Sequence, residues 1–485
     1  MLDFWIEVLS GLGALSILLL ALGIASLSRG RIWRKPRLGR SRHRRGRRLE
    51  RSVLPARFLK RMLRSLTMRR SNRCLWIGSH PIARELEPYH LLLAGSPGSG
   101  KSVAIHSCLE TLRARGDRVL VADCGGESLA RFYRPGDAIL NPLDGRSVDW
   151  SPLAEMQEAW DAERLARSLI PERDGADREW HHYAQSLVAG VLDGLWARGS
   201  AQTGGFVDAL TKASNADLAL LVSGHPCKSL FEEGAQRMLA SVRGIIGTYL
   251  APYRFLDQAV GTEGFSIRRW VARVPSPDWL FLTYRDDQAA VLRPLLAAWL
   301  DLAVGAILAS EPDSTRRVWI VLDELGALGT VPVLADALTR GRKYGLSCLA
   351  GVQTLRQLYR HYGRDGALIL LSCFGSILVL RTQEAETAEH LSRELGEREI
   401  IQRELGFGRG GTSHSDRRHL ERIALASEIQ NLADRHGYLA LARGCPIVPV
   451  KLPVRDRAYV AAPFVPNTSS DGISGQAGVA DEVPW

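Results

Sequence analysis

The sequence predicts an α/β core, a multi-stranded sheet with helices on both sides, interrupted by an inserted all-alpha region and preceded by one N-terminal transmembrane helix. Three observations carry that prediction. A complete phosphate-loop motif lies between a strand pattern and a helix pattern at residues 90–114. A separate apolar strand pattern at residues 318–322 ends in two acids. Residues 8–27 are uncharged and are followed at once by a dense basic run.

At 485 residues, 46% of them hydrophobic, the chain exceeds the usual size of one domain and has enough apolar material for a sizeable core. The net charge of +11 is concentrated, because residues 29–73 hold 19 Lys and Arg against one acid, Glu50. Two acids precede that segment, so the rest of the chain after Arg73 carries about −5. This distribution points to a juxtamembrane basic belt more than to a nucleic-acid face on the catalytic body. The seven cysteines form no CxxC pair and no Cys/His cluster, so neither a zinc site nor a disulfide framework is expected.

Residues 8–27 match the length of a bilayer core. The segment ahead of them carries Asp3 and Glu7 where a signal peptide would be positive, and the cations come after the span. Residues 1–28 therefore read as an uncleaved anchor, with residue 29 onward in the cytoplasm. Within the basic segment 29–73, residues 37–51 read as a linker and residues 53–66 as a helix lying on the lipid surface.

The nucleotide-binding domain is expected in two parts, residues 74–150 and 261–455. In the first, an apolar strand at 90–94 leads into Gly95, Ser96, Pro97, Gly98, Ser99, Gly100, Lys101 and Ser102, which fit G-x-x-x-x-G-K-[ST] at every required position. A helix follows at 103–114. The glycines let the backbone wrap a phosphate, Lys101 reaches the β- and γ-phosphates, and Ser102 ligates Mg²⁺. The next strand, 118–122, ends at Asp123, an acid that either organises metal and water or caps the following helix.

In the second part, the strand 318–322 ends at Asp323 and Glu324, the Walker B pattern. Asp323 is placed to hold Mg²⁺ through water, and Glu324 to orient and polarise the attacking water. Together with the phosphate loop this predicts an ATPase using ATP and Mg²⁺. A helix at 332–339 precedes Arg342, a charge donor to a neighbouring subunit's nucleotide, and a strand at 346–350 leads to Gln353, a γ-phosphate sensor. A further strand at 369–380 ends at Arg381. Between the two parts, helix patterns at 161–170, 180–196, 206–221 and 234–256 make an inserted all-alpha domain at 151–260. A long helix at 287–308 feeds back into the core. Residues 388–405 read as a charged helix, 406–415 as a Gly- and Arg-rich flexible loop, 438–443 and 448–452 as short strands, and 456–485 as a flexible tail, low in structure from Pro463.

Taken together, these motifs resemble the TraD-like coupling proteins of conjugation and type IV secretion, over about residues 78–449. Beyond the phosphate loop the resemblance rests on Glu87 and His90, on Phe132-Tyr133-Arg134-Pro135-Gly136-Asp137 and on Ile139-Leu140-Asn141-Pro142-Leu143-Asp144. It rests also on Trp279-Leu280-Phe281-Leu282-Thr283, Leu322-Asp323-Glu324-Leu325, Gly341-Arg342-Lys343-Tyr344-Gly345 and Gly351-Val352-Gln353. The resemblance implies a RecA-like P-loop NTPase core and a homo-hexameric ring on the cell inner membrane, with its main body cytoplasmic. It implies ATP-driven carriage of relaxase-bound single-stranded DNA to a type IV secretion channel, with relaxase, relaxosome proteins and channel components as partners. It also implies Arg342 as a finger acting in trans and Gln353 as a nucleotide sensor. The alternative is a membrane-anchored DNA translocase for chromosome partition or DNA packaging, which would be expected to lack the run at 132–144.

Overall fold

The computed structural model describes residues 42–49 and 74–467, apart from 174, 200–201, 274–275, 314, 332 and 409–410. The expected anchor at 8–27 and surface helix at 53–66 lie outside the described residues. In chain order the strands are β1 (Arg42–Gly46), β2 (Leu75–Ile77), β3 (His80–Ile82), β4 (Leu91–Ala94), β5 (Arg118–Cys124), β6 (Ala138–Leu140) and β7 (Leu280–Tyr284). They continue with β8 (Val318–Leu322), β9 (Leu346–Val352), β10 (Ser376–Leu380), β11 (Glu397–Gly408), β12 (Gly411–Arg422), β13 (His436–Ala440) and β14 (Val448–Lys451).

Nine of them form the central sheet, in the order β14-β13-β10-β4-β9-β8-β5-β7-β6. From β10 to β6 every neighbouring pair is parallel, and β13 runs antiparallel to both β10 and β14. β4, β8 and β9 are buried at every position, as strands covered on both faces must be, and so read as unbroken apolar runs. The two-residue alternation assigns their side chains to opposite layers. Leu93, Val119, Val121 and Trp319 pack with Ile105, Leu109 and Leu112 of helix Lys101–Arg115. Leu92, Leu120, Ala122 and Ile320 pack on the other face with Leu295, Leu296 and Trp299 of helix Asp286–Leu308.

Among the described residues there is no strand between Leu140 and Leu280. Helices Asp161–Leu169, Arg178–Ala197, Thr203–Thr211, Asn215–Leu221, Gln236–Leu250 and Ile267–Ala272 fill that interval, so the helical insertion runs past residue 260 almost to β7. Its core is continuous with one face of the sheet. The single helix expected over 206–221 is two, because the hydroxyl of Ser214 accepts from Asp217 N at 3.1 Å and starts a new helix. Asp286–Leu308 is, among the described residues, the one helix long and apolar enough to cross a bilayer, but 67% of its apolar window is buried in the protein. It is a core helix.

Four expectations are corrected. Residues 369–372 end the helix Leu355–Ser372, and the strand begins only at Ser376. The charged helix stops at Leu395, where Gly396 takes φ 80°, and residues 397–408 are strand β11. The supposed loop 406–415 belongs largely to β11 and β12, which join β1 in a three-stranded sheet, so residues 42–46 are strand rather than linker. This small sheet, with Arg44 and Arg45 on the carboxylate of Glu399, forms a compact unit of its own. Finally, residues 460–467 are docked: Val460 N donates to Ala130 O at 2.7 Å, Gly145 N to Val465 O at 2.8 Å and Asn467 N to Leu143 O at 3.0 Å.

Candidate active site

β4 delivers the chain into residues 95–102, and the loop is stitched to the ends of its neighbours. Gly95 N donates to Val352 O at the end of β9 at 3.0 Å, and Ser96 N donates to Arg381 O just beyond β10 at 2.8 Å. Gln383 N donates to the Ser96 hydroxyl at 3.0 Å, and Arg435 N to Ser99 O at 2.8 Å. Gly100 opens the following helix at φ 112°, and a Cβ there would lie 3.2 Å from the Arg435 Cα, so both conformation and space require glycine. No side-chain cap bonds to this N-terminus, which leaves the first-turn amides directed at an incoming anion. Lys101 Nζ donates across the loop to Gly95 O at 2.6 Å. Burial lowers its pKa, while Glu324 and Asp323 pull it back up. Ser102 is exposed.

The acid pair sits at the end of β8, and β9 runs between β4 and β8, so Gln353 emerges between the phosphate loop and the acids. The approach of β9 to β8 is close enough that a Cβ on Gly351 would fall 2.0 Å from Asp323 O. Burial pushes the Asp323 carboxyl up to about 6 against the attraction of Lys101. Burial likewise pushes Glu324 up to about 7, opposed by Lys101 and by hydrogen bonding from Gln353. Those Gln353 contacts are poorly aligned, since neither buried carboxylate oxygen of Glu324 has a partner of regular hydrogen-bond geometry. An acceptor pair held out of water with lone pairs unsatisfied is suited to a bound water or hydrated metal.

Asp123, left open between two roles, is a cap: its oxygens accept from Ser128 N at 3.2 Å and Leu129 N at 2.7 Å. Glu87 and His90 are structural as well. Glu87 takes both guanidinium nitrogens of buried Arg115, at 2.5 and 3.2 Å. His90 accepts from Cys348 N at Nδ1 (3.1 Å) and donates from Nε2 to Leu338 O (2.8 Å), a neutral ring whose pKa burial lowers to about 4. In the run at 132–144, Asp137 binds Arg113 and accepts from Trp279 N at 2.8 Å, which joins β6 and β7 to the first helix.

Arg342 lies in the short turn Gly341–Tyr344 ahead of β9. β4 and β9 are parallel, with Ala94 level with Val352, so Arg342 stands at the opposite edge of the sheet from its own phosphate loop. The strand between alone spans roughly 20 Å at ~3.3 Å per residue, beyond the reach of an arginine side chain. The structure therefore brings Lys101, Ser102, Asp323, Glu324 and Gln353 to one edge, and leaves Arg342 at the other. Sequence reasoning missed Gln383, Asp434 and Arg435, which join the site from after β10 and before β13. Arg381 at the site's rim pairs with Asp434 at 2.6 Å. Only the left-handed φ of 63° at Arg435 marks that turn, and nothing local in the sequence signals it.

Residues 74–453 match the family model described as the type IV secretion-system coupling protein DNA-binding domain. The chain is 30% identical over 402 residues to the coupling protein TraD of Escherichia coli (strain K12), a stretch covering 80% of this chain but only 56% of TraD. Among solved structures, the unbound bacterial conjugative coupling protein TrwBdeltaN70 superposes with a TM-score of 0.79 at 33% identity, covering 87% of this chain and 97% of that one. The plasmid coupling protein TrwB in complex with ADP and Mg2+ gives a TM-score of 0.78, also at 33% identity, covering 89% and 99%.

Proposed function

From the premise that this chain belongs to the coupling-protein family of type IV secretion systems, we propose that it is an ATPase. In this reading it drives relaxase-bound single-stranded DNA to a type IV secretion channel during conjugation. It works as a homo-hexamer anchored in the inner membrane by residues 8–27, with its main body in the cytoplasm and with relaxosome and channel proteins as partners.

The observation that carries the reading is the buried Glu324 carboxylate, unsatisfied and beside Gln353, with only β9 between its strand and the one that leads into a complete phosphate loop. Gly95, Ser96, Pro97, Gly98, Ser99 and Gly100 wrap the phosphates with backbone amides, and Lys101 leaves Gly95 O for the β- and γ-phosphates. Mg²⁺, when bound, supplies neutralising charge to those phosphates, and Ser102 and Asp323 would hold it. Glu324, with a pKa near the operating pH, orients the attacking water and takes up its proton. Gln353 registers whether a γ-phosphate is present and bears on Glu324. Arg342, unable to reach its own loop, serves the nucleotide of an adjacent copy.

Nucleotide titration beside phosphate release tests this. Lys101→Ala loses both binding and turnover, whereas Glu324→Gln binds MgATP and releases no phosphate. Wild-type turnover by Glu324→Gln would remove Glu324 from the mechanism.

A further inference from the structure

At the sheet edge away from the chain's own phosphate loop, two arginines converge on one phenol. Arg342 Nη1 donates to the Tyr89 hydroxyl at 2.8 Å, with its guanidinium carbon 4.5 Å from the ring centroid. Arg443 Nε donates to the same oxygen at 2.9 Å, with its guanidinium carbon 5.3 Å from the centroid. Both lone pairs of the phenol oxygen are thereby used. The assembly is fixed from beneath. Tyr89 O accepts from Gly375 N at 2.7 Å, and a Cβ on Gly375 would lie 3.1 Å from the Tyr89 Cβ. Arg443 is one of only three non-glycine residues with positive φ among the described residues, at 61°, a conformation that persists where surrounding structure imposes it.

Among the described residues neither guanidinium has a carboxylate within 4 Å, whereas Arg115, Arg146, Arg268, Arg381 and Arg422 each do. Two like charges gathered on one neutral group repel, and the arrangement is relieved by an anion able to take donors from both. A phosphate, with several oxygens and charge above one, matches paired guanidinium forks.

We propose that Tyr89 positions Arg342 and Arg443 as a two-arginine receptor for a phosphate of the nucleotide bound to the adjacent copy of this chain. The inference rests on the reading of Arg342 as a finger in trans and adds to it a second cation and the residue that aims both. Tyr89 is a positioning residue. Its ring lies within cation–π distance of both guanidinium groups and its hydroxyl accepts from both, so the pair arrives preorganised when two copies meet.

Pairwise mixing of full-length variants, read as MgATP turnover with and without single-stranded DNA, tests the proposal. The reference pair is Arg342→Ala with Lys101→Ala, each inactive alone. Recovery in that mixture supports a finger in trans, and its absence counts against the underlying reading itself. With that recovery in hand, Tyr89→Ala and Arg443→Ala each lower turnover about tenfold or more, the factor expected for one lost charge-assisted contact. Each recovers activity when mixed with Lys101→Ala and gains nothing when mixed with Arg342→Ala, because both defects then lie on the same side of every interface. Tyr89→Phe, which keeps the ring, lowers kcat less than Tyr89→Ala and leaves KM unchanged, and this variant answers the question if Tyr89→Ala fails to fold. Recovery of Tyr89→Ala by Arg342→Ala instead would mean that Tyr89 serves its own phosphate loop and would overturn the proposal. So would full turnover of the Tyr89→Ala or Arg443→Ala protein. A loss confined to the DNA-stimulated increment would identify the anion as a DNA phosphate and likewise overturn it.

Discussion

Replacing Glu324 by Gln should stabilise the nucleotide-free protein above neutral pH even as it abolishes turnover. Burial raises the folded-state pKa of this carboxyl from 4.5 to about 7, so the native state favours the protonated form. A carboxylate shifted upward contributes stability that is fully present below pH 4.5 and is lost as pH rises through about 7. That rise, from 4.5 to about 7, corresponds to at most about 3 kcal/mol at pH 8 and above. Gln keeps the shape and stays neutral, so the variant escapes this penalty. For a body of this size the gain amounts to a few degrees in Tm. The assay is thermal unfolding of the detergent-solubilised, nucleotide-free protein at pH 5 and pH 8. Wild type loses stability between the two, with Asp323 and Asp123 contributing in the same direction, since burial raises them to about 6 and about 7. Glu324→Gln lies within about 1 kcal/mol of wild type at pH 5 and exceeds it by the full margin at pH 8. Equal Tm values at pH 8, or a lower one for the variant, would refute the burial argument.

Three further outcomes follow from particular contacts. Gly351→Ala, whose Cβ would meet Asp323 O at 2.0 Å, must push β9 from β8; it destabilises by about 1–3 kcal/mol and displaces Asp323 and Glu324, read as a lower denaturation midpoint and lost phosphate release. Glu87→Ala removes the bidentate acceptor of buried Arg115, to which Asp117 remains bound, and costs about 1–3 kcal/mol in chemical denaturation, while nucleotide affinity, if the protein is folded, stays within twofold. Deleting residues 1–28 releases the protein from membranes in high salt, because screened arginines cannot replace a twenty-residue apolar span; retention in the pellet would require another membrane element.

The phosphate loop, the acid pair and Gln353 were legible in the sequence because each is a local run of residues tied to one strand end. The place of Arg342 away from its own loop was legible too, since a residue ahead of a parallel strand cannot share an edge with one that follows its neighbour. What escaped reading depends on contacts across long separations. Arg435 reaches Ser99 and Gly100 from over 300 residues away, and Tyr89 meets Arg443 across 354 residues. The hairpin β11–β12 reads as helix and loop because its glutamates and arginines have good helix propensity, and the pairing with β1 reveals the strand. Docking of residues 460–467 depends on acceptors at Ala130 and Asp144, not on any periodicity of their own.

Hydrolysis sites completed between copies of the chain and driven by single-stranded DNA, as proposed above, make turnover depend on both assembly and DNA. Phosphate release per subunit, measured across protein concentration with and without single-stranded DNA, tests it in one titration. Turnover per subunit should rise with concentration as rings assemble, rise further with DNA, and stay at background in Arg342→Ala at every concentration. Turnover that is independent of concentration, indifferent to DNA and unchanged in Arg342→Ala would place each hydrolysis site within a single copy.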